Sequence, residues 1–385
     1  MHAAGDDAKM KRTWIMVSGA AVVVLAIVSG LVLMSWQNSH KKSATVTHRV
    51  VKIGLMAPLT GDVASYGAIL QHGVELAQHD FNTPEGLSFQ VLVRDTQCDG
   101  TKATAAIKEF SQAGVLATIG DTCSGSTLAA LPTANELHML IVSPSASSPK
   151  LAIPNDYFYR TYPMDSQQAI YATQLMYQGG ARKASLFYTD EAYGQGLNTV
   201  ASVNFKKLGG TVVSSTPFKA GTLDFKDAMT TAAAAKPDVI YIMSNSIESA
   251  SAIVLQAKQL GVTAKLYGSD ALRDDSFASD VGTSGEGMTV LGVTFGSQAF
   301  VDEYKAAYGA APTGATGAQA YDAFTLIANI VKSGATTSDQ IRAQLAKVDF
   351  QGVSGRIRFD ANGDISDGGY NIFKIQSGKF VESSN

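Results

Sequence analysis

From Val50 onward the chain alternates short β-type runs with segments of helical period, a pattern that restricts it to parallel sheets with helices on their faces. "VVKIGLMAP", "SFQVLVRDT", "VLATIG" and "MLIVSPS" are the first four runs. After the first of them, Leu70, Val74, Ala77 and Phe81 recur on one helical face. Further helices are predicted over Thr101–Gln112 and after "CSGST". "ASSPKLAIPNDYFYRTYPMD" then breaks the alternation with three prolines and no helical period, so a first unit is predicted to end near Asp165.

A second set starts with a helix from Ser166 and continues through "ASLFYTD", Tyr193–Leu208, "TVVSSTPF", Asp224–Ala235, "DVIYIMS", Ile247–Leu260 and "KLYGSD". The two halves repeat one architecture without repeating sequence, and 385 residues suffice for two domains. The tail differs. It holds the run "MTVLGV", helices around Phe300–Tyr308, Gln319–Lys332 and Asp339–Val348, and a hairpin region with turn signals at Asn362-Gly363 and Ser377-Gly378. Asp360, Asn362 and Asp364 lack the spacing of an EF-hand loop, so a turn is expected there rather than a calcium site.

The N-terminus points to export. Lys9, Lys11 and Arg12 precede an uncharged, mostly apolar run from Thr13 to Trp36, and Lys41-Lys42 follows it. The run is long enough to cross a bilayer as a membrane anchor, since about 20 apolar residues span the hydrocarbon. Equally, with Met10 as the start, it reads as the long core of a cleaved signal peptide. In both cases residues 1–45 form a leader or anchor with its spacer, and the remainder lies outside the cytoplasmic membrane. The first 45 residues carry five Lys/Arg against two Asp, leaving 25 against 31. So acidic a body has no electrostatic reason to seek nucleic acid.

Cys98 and Cys123 are the only cysteines, and in an oxidising compartment an even pair is more often a disulfide than a metal or redox site. Bridged, they would close a loop of about 25 residues, worth about 3 kcal/mol. There is no CxxC, and six scattered histidines give no zinc-ligand spacing. Catalytic signatures are also missing. "GQGLNT" at Gly194 lacks the third glycine of a dinucleotide fingerprint, and "CSGST" is not a nucleophile elbow. Neither an enzyme nor a cofactor is called for.

What recurs is a small-residue loop just after a strand end, where open α/β sheets bind ligands. "DTCSGST" follows "VLATIG", and "SASSP" follows "MLIVSP". Hydroxyls and free N–H groups at a helix start can hold a carboxylate, although the same serines would serve as ordinary caps. Asp270 in "LYGSDAL" stands in the same relation to its own strand and could accept an ammonium. Tyr66 and Tyr193 sit beside glycine at loop-to-helix junctions, placed either to cover a ligand or to pack the surface. An anion-holding loop and a cation-holding acid together suggest a zwitterion, an amino acid in form.

With these residues in view the chain resembles the periplasmic leucine/isoleucine/valine-binding proteins of ABC importers. The resemblance runs from about Val50 to the C-terminus, through "KIGLMAPLTGDVASYG", "DTQCDG", "GDTCSGST", "IVSPSASSPKL", "YFYRTYPMDSQQ", "YTDEAYGQGL", "LYGSDAL", "EGMTVLGV", "AYDAF" and "FDANGD". It implies two doubly wound α/β lobes with mostly parallel sheets, joined by a three-strand hinge. Crossovers would fall near Asp165, Val293 and Gln351, giving lobe 1 as 50–165 and 295–350 and lobe 2 as 166–294 and 351–385.

It further implies a Cys98–Cys123 disulfide. Ser124 and Ser147 would contact the ligand carboxylate, Ser145, followed by Ala146, would turn a carbonyl to the ammonium, and Asp270 would pair with that ammonium. Tyr66 and Tyr193 would line the pocket from the two lobes. The partners implied are a small solute such as an amino acid and a membrane permease complex, with the receptor a monomer. A membrane-tethered sensory domain, or a binder of amides, urea or small organic acids, is the alternative. This chain departs from its relatives at "SNSIES", where Asn245 and Ser246 replace frequent aromatics and make that wall smaller and more polar.

Overall fold

The computed structural model describes residues 49–82 and 86–383. The Thr13–Trp36 run lies outside the described residues, and among those described no helix is long and apolar enough to cross a membrane.

The first half winds into a five-stranded parallel sheet. Its strands are β1 (Arg49–Ala57), β2 (Leu87–Asp95), β3 (Ala117–Ile119), β4 (Ile141–Ser143) and β5 (Phe158–Arg160), in the order β2-β1-β3-β4-β5. Three helices return the chain between them: α1 (Ala64–Phe81), α2 (Gly100–Gln112) and α3 (Ser124–Glu136). The β1 residues Ile53, Leu55 and Ala57 are fully buried, as expected of a strand covered on both faces. β5 lies inside the proline-rich stretch that had no predicted element. Three residues are too short a run to show a period, and this strand exists because it pairs in parallel with β4.

The second half builds a seven-stranded sheet, in the order β14 (Lys379–Ser383), β13 (Asn371–Gln376), β10 (Thr289–Gly292), β9 (Lys265–Gly268), β8 (Val239–Met243), β6 (Lys183–Thr189) and β7 (Thr211–Phe218). After α4 (Asp165–Gln178) come β6 (Lys183–Thr189), α5 (Ala192–Lys207), β7 (Thr211–Phe218), α6 (Lys226–Ala234), β8 (Val239–Met243), α7 (Ile247–Gln259) and β9 (Lys265–Gly268). A short helix α8 (Asp275–Val281) leads to β10 (Thr289–Gly292). The chain then returns to the first lobe as α9 (Gln298–Tyr308), α10 (Gly317–Lys332) and α11 (Ser338–Leu345). α10 packs against α1 so closely that a Cβ on Gly73 would stand 2.1 Å from the Gly317 carbonyl oxygen.

The hairpin β11 (Asp349–Gln351) and β12 (Arg356–Arg358) also belongs to the first lobe. Ile357 and Ile365 sit in the same core as Ile53 and Phe324. The third crossover is therefore later than Gln351, because the apolar side chains up to Ile365 have the first core to bury against. Only β13 (Asn371–Gln376) and β14 (Lys379–Ser383) join the second sheet, antiparallel to β10 and to each other. Their turn at Ser377-Gly378 has positive φ at both residues, 52° and 72°, the backbone that matches the strand twist of a two-residue hairpin. Asn362-Gly363 likewise forms a turn, Gly363 N–H donating to the Asp360 carbonyl (3.1 Å).

The three connections run side by side. Thr161 and Pro163, Val293 and Thr294, and Gly368 and Tyr370 line one cleft between the lobes. The Tyr370 hydroxyl donates to the Pro163 carbonyl (3.0 Å), tying two of the connections together.

Candidate functional site

Between the lobes lies a cavity lined by Tyr66, Thr122, Cys123, Ser124, Ser145, Ser147, Tyr162, Tyr193, Asn245, Asp270, Arg273 and Thr316, with Val63, Ala271 and Ala315. The space open to the centre of a water-sized sphere is about 50 Å³. The lobes are shut over it. The Tyr66 hydroxyl, from the first lobe, donates to the Ala271 carbonyl in the second, and the Ser148 hydroxyl reaches the Ala192 carbonyl (3.3 Å).

On the first-lobe side the loop after β3 is organised by Asp121. Its buried carboxylate accepts from the Thr122 N–H (2.6 Å) and the Ser126 hydroxyl (2.7 Å). Burial raises its pKa, while the Ser126 bond pulls the other way. Cys98 and Cys123 are joined in a disulfide with their Cα atoms 5.4 Å apart, which ties the loop before α2 to the start of α3. Ser124 is the first residue of α3, where the helix leaves N–H groups free and favours negative charge. Its hydroxyl oxygen accepts from the Ser148 N–H (3.1 Å), so it keeps a proton to donate.

The loop after β4 is shaped by Ser143, whose oxygen accepts from the N–H groups of Ser145 (3.2 Å) and Ala146 (2.8 Å). Ala146 does not line the cavity. It is buried beneath it, its carbonyl accepting from the Arg160 guanidinium (3.2 Å), which also holds the Ser148 carbonyl (3.0 Å). A side chain that ends at Cβ has packing to offer there and no polar contact. Arg160 is itself completely buried and ion-paired with Asp364 at 2.6 Å.

The second lobe supplies Asp270, the residue after β9 and Ser269. Its carboxylate is buried and receives three uncharged donors: the hydroxyls of Tyr162 (2.6 Å) and Tyr193 (2.6 Å) and the Gln168 side-chain amide (2.5 Å). Burial, with the negative charge of Asp270 beside them, pushes the pKa of both tyrosines well above the ordinary value, so both hydroxyls keep their protons and donate. Tyr193 is set in place by Glu191, which caps α5 through the N–H groups of Tyr193 (2.9 Å) and Gly194 (3.1 Å).

A second carboxylate stands close by. Asp165 begins α4 and is fully buried, and its N–H donates to the Ser147 carbonyl (2.9 Å), yet neither carboxylate oxygen receives a well-aligned hydrogen bond. Burial first, and then the Asp270 charge, hold its pKa well above the usual carboxylate range, with Ser147 and Arg160 pulling partly back. The site therefore sets the Asp270 carboxylate, beside a carboxyl that burial keeps from ionising readily, at one end and free donors at the other.

Seven of the eight ligand-contacting residues expected from the sequence thus meet in one cavity. Tyr162, Gln168, Arg160 and Asp165 were not assigned roles. Tyr162 and Asp165 fall in a stretch with no local pattern, and only the fold brings them to Asp270. Among the described residues no cluster of His, Cys, Asp and Glu could hold a metal ion.

An α/β protein of two lobes, hinged on three connections and shut over a small cavity, is a solute-binding protein in architecture. Residues 50–379 match the model of the periplasmic binding protein family, and the chain belongs to that family. A leucine-, isoleucine-, valine-, threonine- and alanine-binding protein of Pseudomonas aeruginosa is 26% identical over 335 residues, 84% of this chain and 89% of the relative. Among solved structures, the leucine-binding protein LivK of Thermotoga maritima matches with a TM-score of 0.80 at 26% identity, over 87% of this chain and 98% of that one. The branched-chain amino acid transporter substrate-binding protein LivJ of Streptococcus pneumoniae, solved with isoleucine, matches with a TM-score of 0.77 at 28% identity, over 87% and 100%.

Proposed function

We propose that this chain is the extracytoplasmic solute receptor of an ABC importer, that it closes on an amino acid, and that it delivers the closed form to a membrane permease. The observation that carries the reading is the Asp270 carboxylate. It is buried, held only by uncharged donors, and faces, across the cavity, the first turn of α3 with its serine hydroxyl. A ligand with an ammonium at one end and a carboxylate at the other answers both, and the named relatives bind such molecules.

The mechanism follows from which bonds exist only when the lobes are shut. An amino acid bonded to Ser124 and Ser147 in one lobe and to Asp270 in the other stabilises the closed state alone, and that differential affinity shifts the population. Closure also excludes water, which strengthens the ammonium–carboxylate attraction. No bond is made or broken, so the receptor needs no cofactor.

A thermal-shift series on the protein from Arg49 to the C-terminus tests this. At about 100 times its Kd a ligand stabilises by about 2.7 kcal/mol. An L-amino acid is expected to raise the melting temperature, while its deaminated and decarboxylated counterparts do not. Stabilisation by the deaminated acid alone would refute the zwitterion model.

A further inference from the structure

The wall that meets the ligand side chain has a polar group with nothing to bind. Asn245 follows β8 and lines the cavity, and its Oδ1 is shielded from solvent and receives no hydrogen bond. The neighbouring serines do not serve it. Ser244 accepts from the Ser246 N–H (3.0 Å), and the Ser246 hydroxyl caps α7 while donating to Ser249 (3.1 Å). Elsewhere the lining offers apolar surface from Val63, Ala271 and Ala315.

Arg273, the cation among the lining residues, directs its charge elsewhere. Its guanidinium lies over the rings of Phe295, Phe373 and Phe380 at 4.2, 4.5 and 4.6 Å, and pairs with Asp275 at 3.1 Å. Its Nε is buried without a hydrogen-bond partner, while the rest of its charge is met by the rings and by Asp275. A purely hydrocarbon ligand side chain would seal the Asn245 oxygen away from any donor, and an unmet buried acceptor is costly.

Building on the amino acid reading above, we propose that Asn245 accepts a hydrogen bond from the ligand's side chain, and that the preferred ligand is an amino acid carrying a hydroxyl or amide donor. Threonine and valine, nearly identical in shape, isolate that contact. Calorimetry on the unaltered protein, with serine and asparagine alongside, should show threonine binding about 5- to 150-fold more tightly than valine. In Asn245→Leu, shown to be folded by its melting curve, the ratio should collapse or invert.

Valine binding the unaltered protein as tightly as threonine would overturn this inference and leave the amino acid reading standing. No amino acid binding at all would overturn that underlying reading instead, and the inference with it. Because the threonine–valine comparison needs no variant, it decides the matter even where Asn245→Leu does not fold.

Discussion

Replacing Asp270 with asparagine separates the charge of this residue from its shape. Two of the three donors, Tyr193 and Gln168, converge on Oδ1, which asparagine retains, and the third, the Tyr162 hydroxyl on Oδ2, can turn to accept from the new amide. The fold should tolerate the change. Ligand binding should not. A unit charge pair about 4 Å apart at an effective dielectric of about 20 is worth about 4 kcal/mol. The asparagine oxygen already accepts from Tyr193 and Gln168 on its two lone pairs, so it offers the ammonium little in return. The loss of about 4 kcal/mol is a roughly 1,000-fold rise in Kd. Isothermal titration with the tightest amino acid found, alongside a melting curve to establish that the variant is folded, measures it. A Kd within about threefold of the parent's in a folded variant would mean that the ammonium does not sit on Asp270, and the orientation argued here would be wrong.

Asp165 should make stability depend on pH. Its pKa in the folded protein is raised, so its contribution is fully present below the unfolded value of about 3.9 and is lost as pH rises through the folded one. Melting temperatures of the ligand-free parent should fall relative to Asp165→Asn as pH climbs above about 4, and parallel curves would refute this. Breaking the buried Arg160–Asp364 pair with Arg160→Met should cost about 3–5 kcal/mol of stability, read by denaturant unfolding. Adding Asp364→Leu should restore much of that stability without restoring affinity, since the Ala146 and Ser148 carbonyls stay unheld. Gly73→Ala must push α1 away from the Gly317 carbonyl, and a loss of about 1–3 kcal/mol is expected. Tyr66→Phe removes the inter-lobe bond to Ala271. It should weaken ligand binding by up to about tenfold, with melting temperature nearly unchanged.

Much of the fold was legible because it is written in local periods. The helix over Gln298–Tyr308 was predicted from Phe300, and that over Ile247–Gln259 within a residue of its end. The strand ends carrying "DTCSGST" and "LYGSDAL" could be found the same way, since a buried parallel strand reads as an apolar run and its loop as small polar residues. β5 was missed for the converse reason: its Phe158–Arg160 is set by pairing with β4, not by any period of its own. The crossover that the family resemblance implied near Gln351 lies later in this chain, because Ile357 and Ile365 still bury in the first core, and which core takes an apolar residue is not written in its neighbours.

The site divides along the same line. Sequence alone determined that a serine loop and an acid would each stand at the end of a strand, and the family resemblance added that "SNSIES" would make a polar wall. Only tertiary structure decided what they face. Asp270 is held by Tyr162, 108 positions away, by Gln168 at 102 and by Tyr193 at 77. Asp165 comes near it with neither carboxylate oxygen well bonded, and Asn245, on the cavity lining, keeps a buried oxygen unbonded while its serine neighbours bond to each other and to the backbone. Hydrogen bonds over such separations leave no trace in local composition, because they are fixed by how two sheets pack and hinge and not by the residues on either side of each partner.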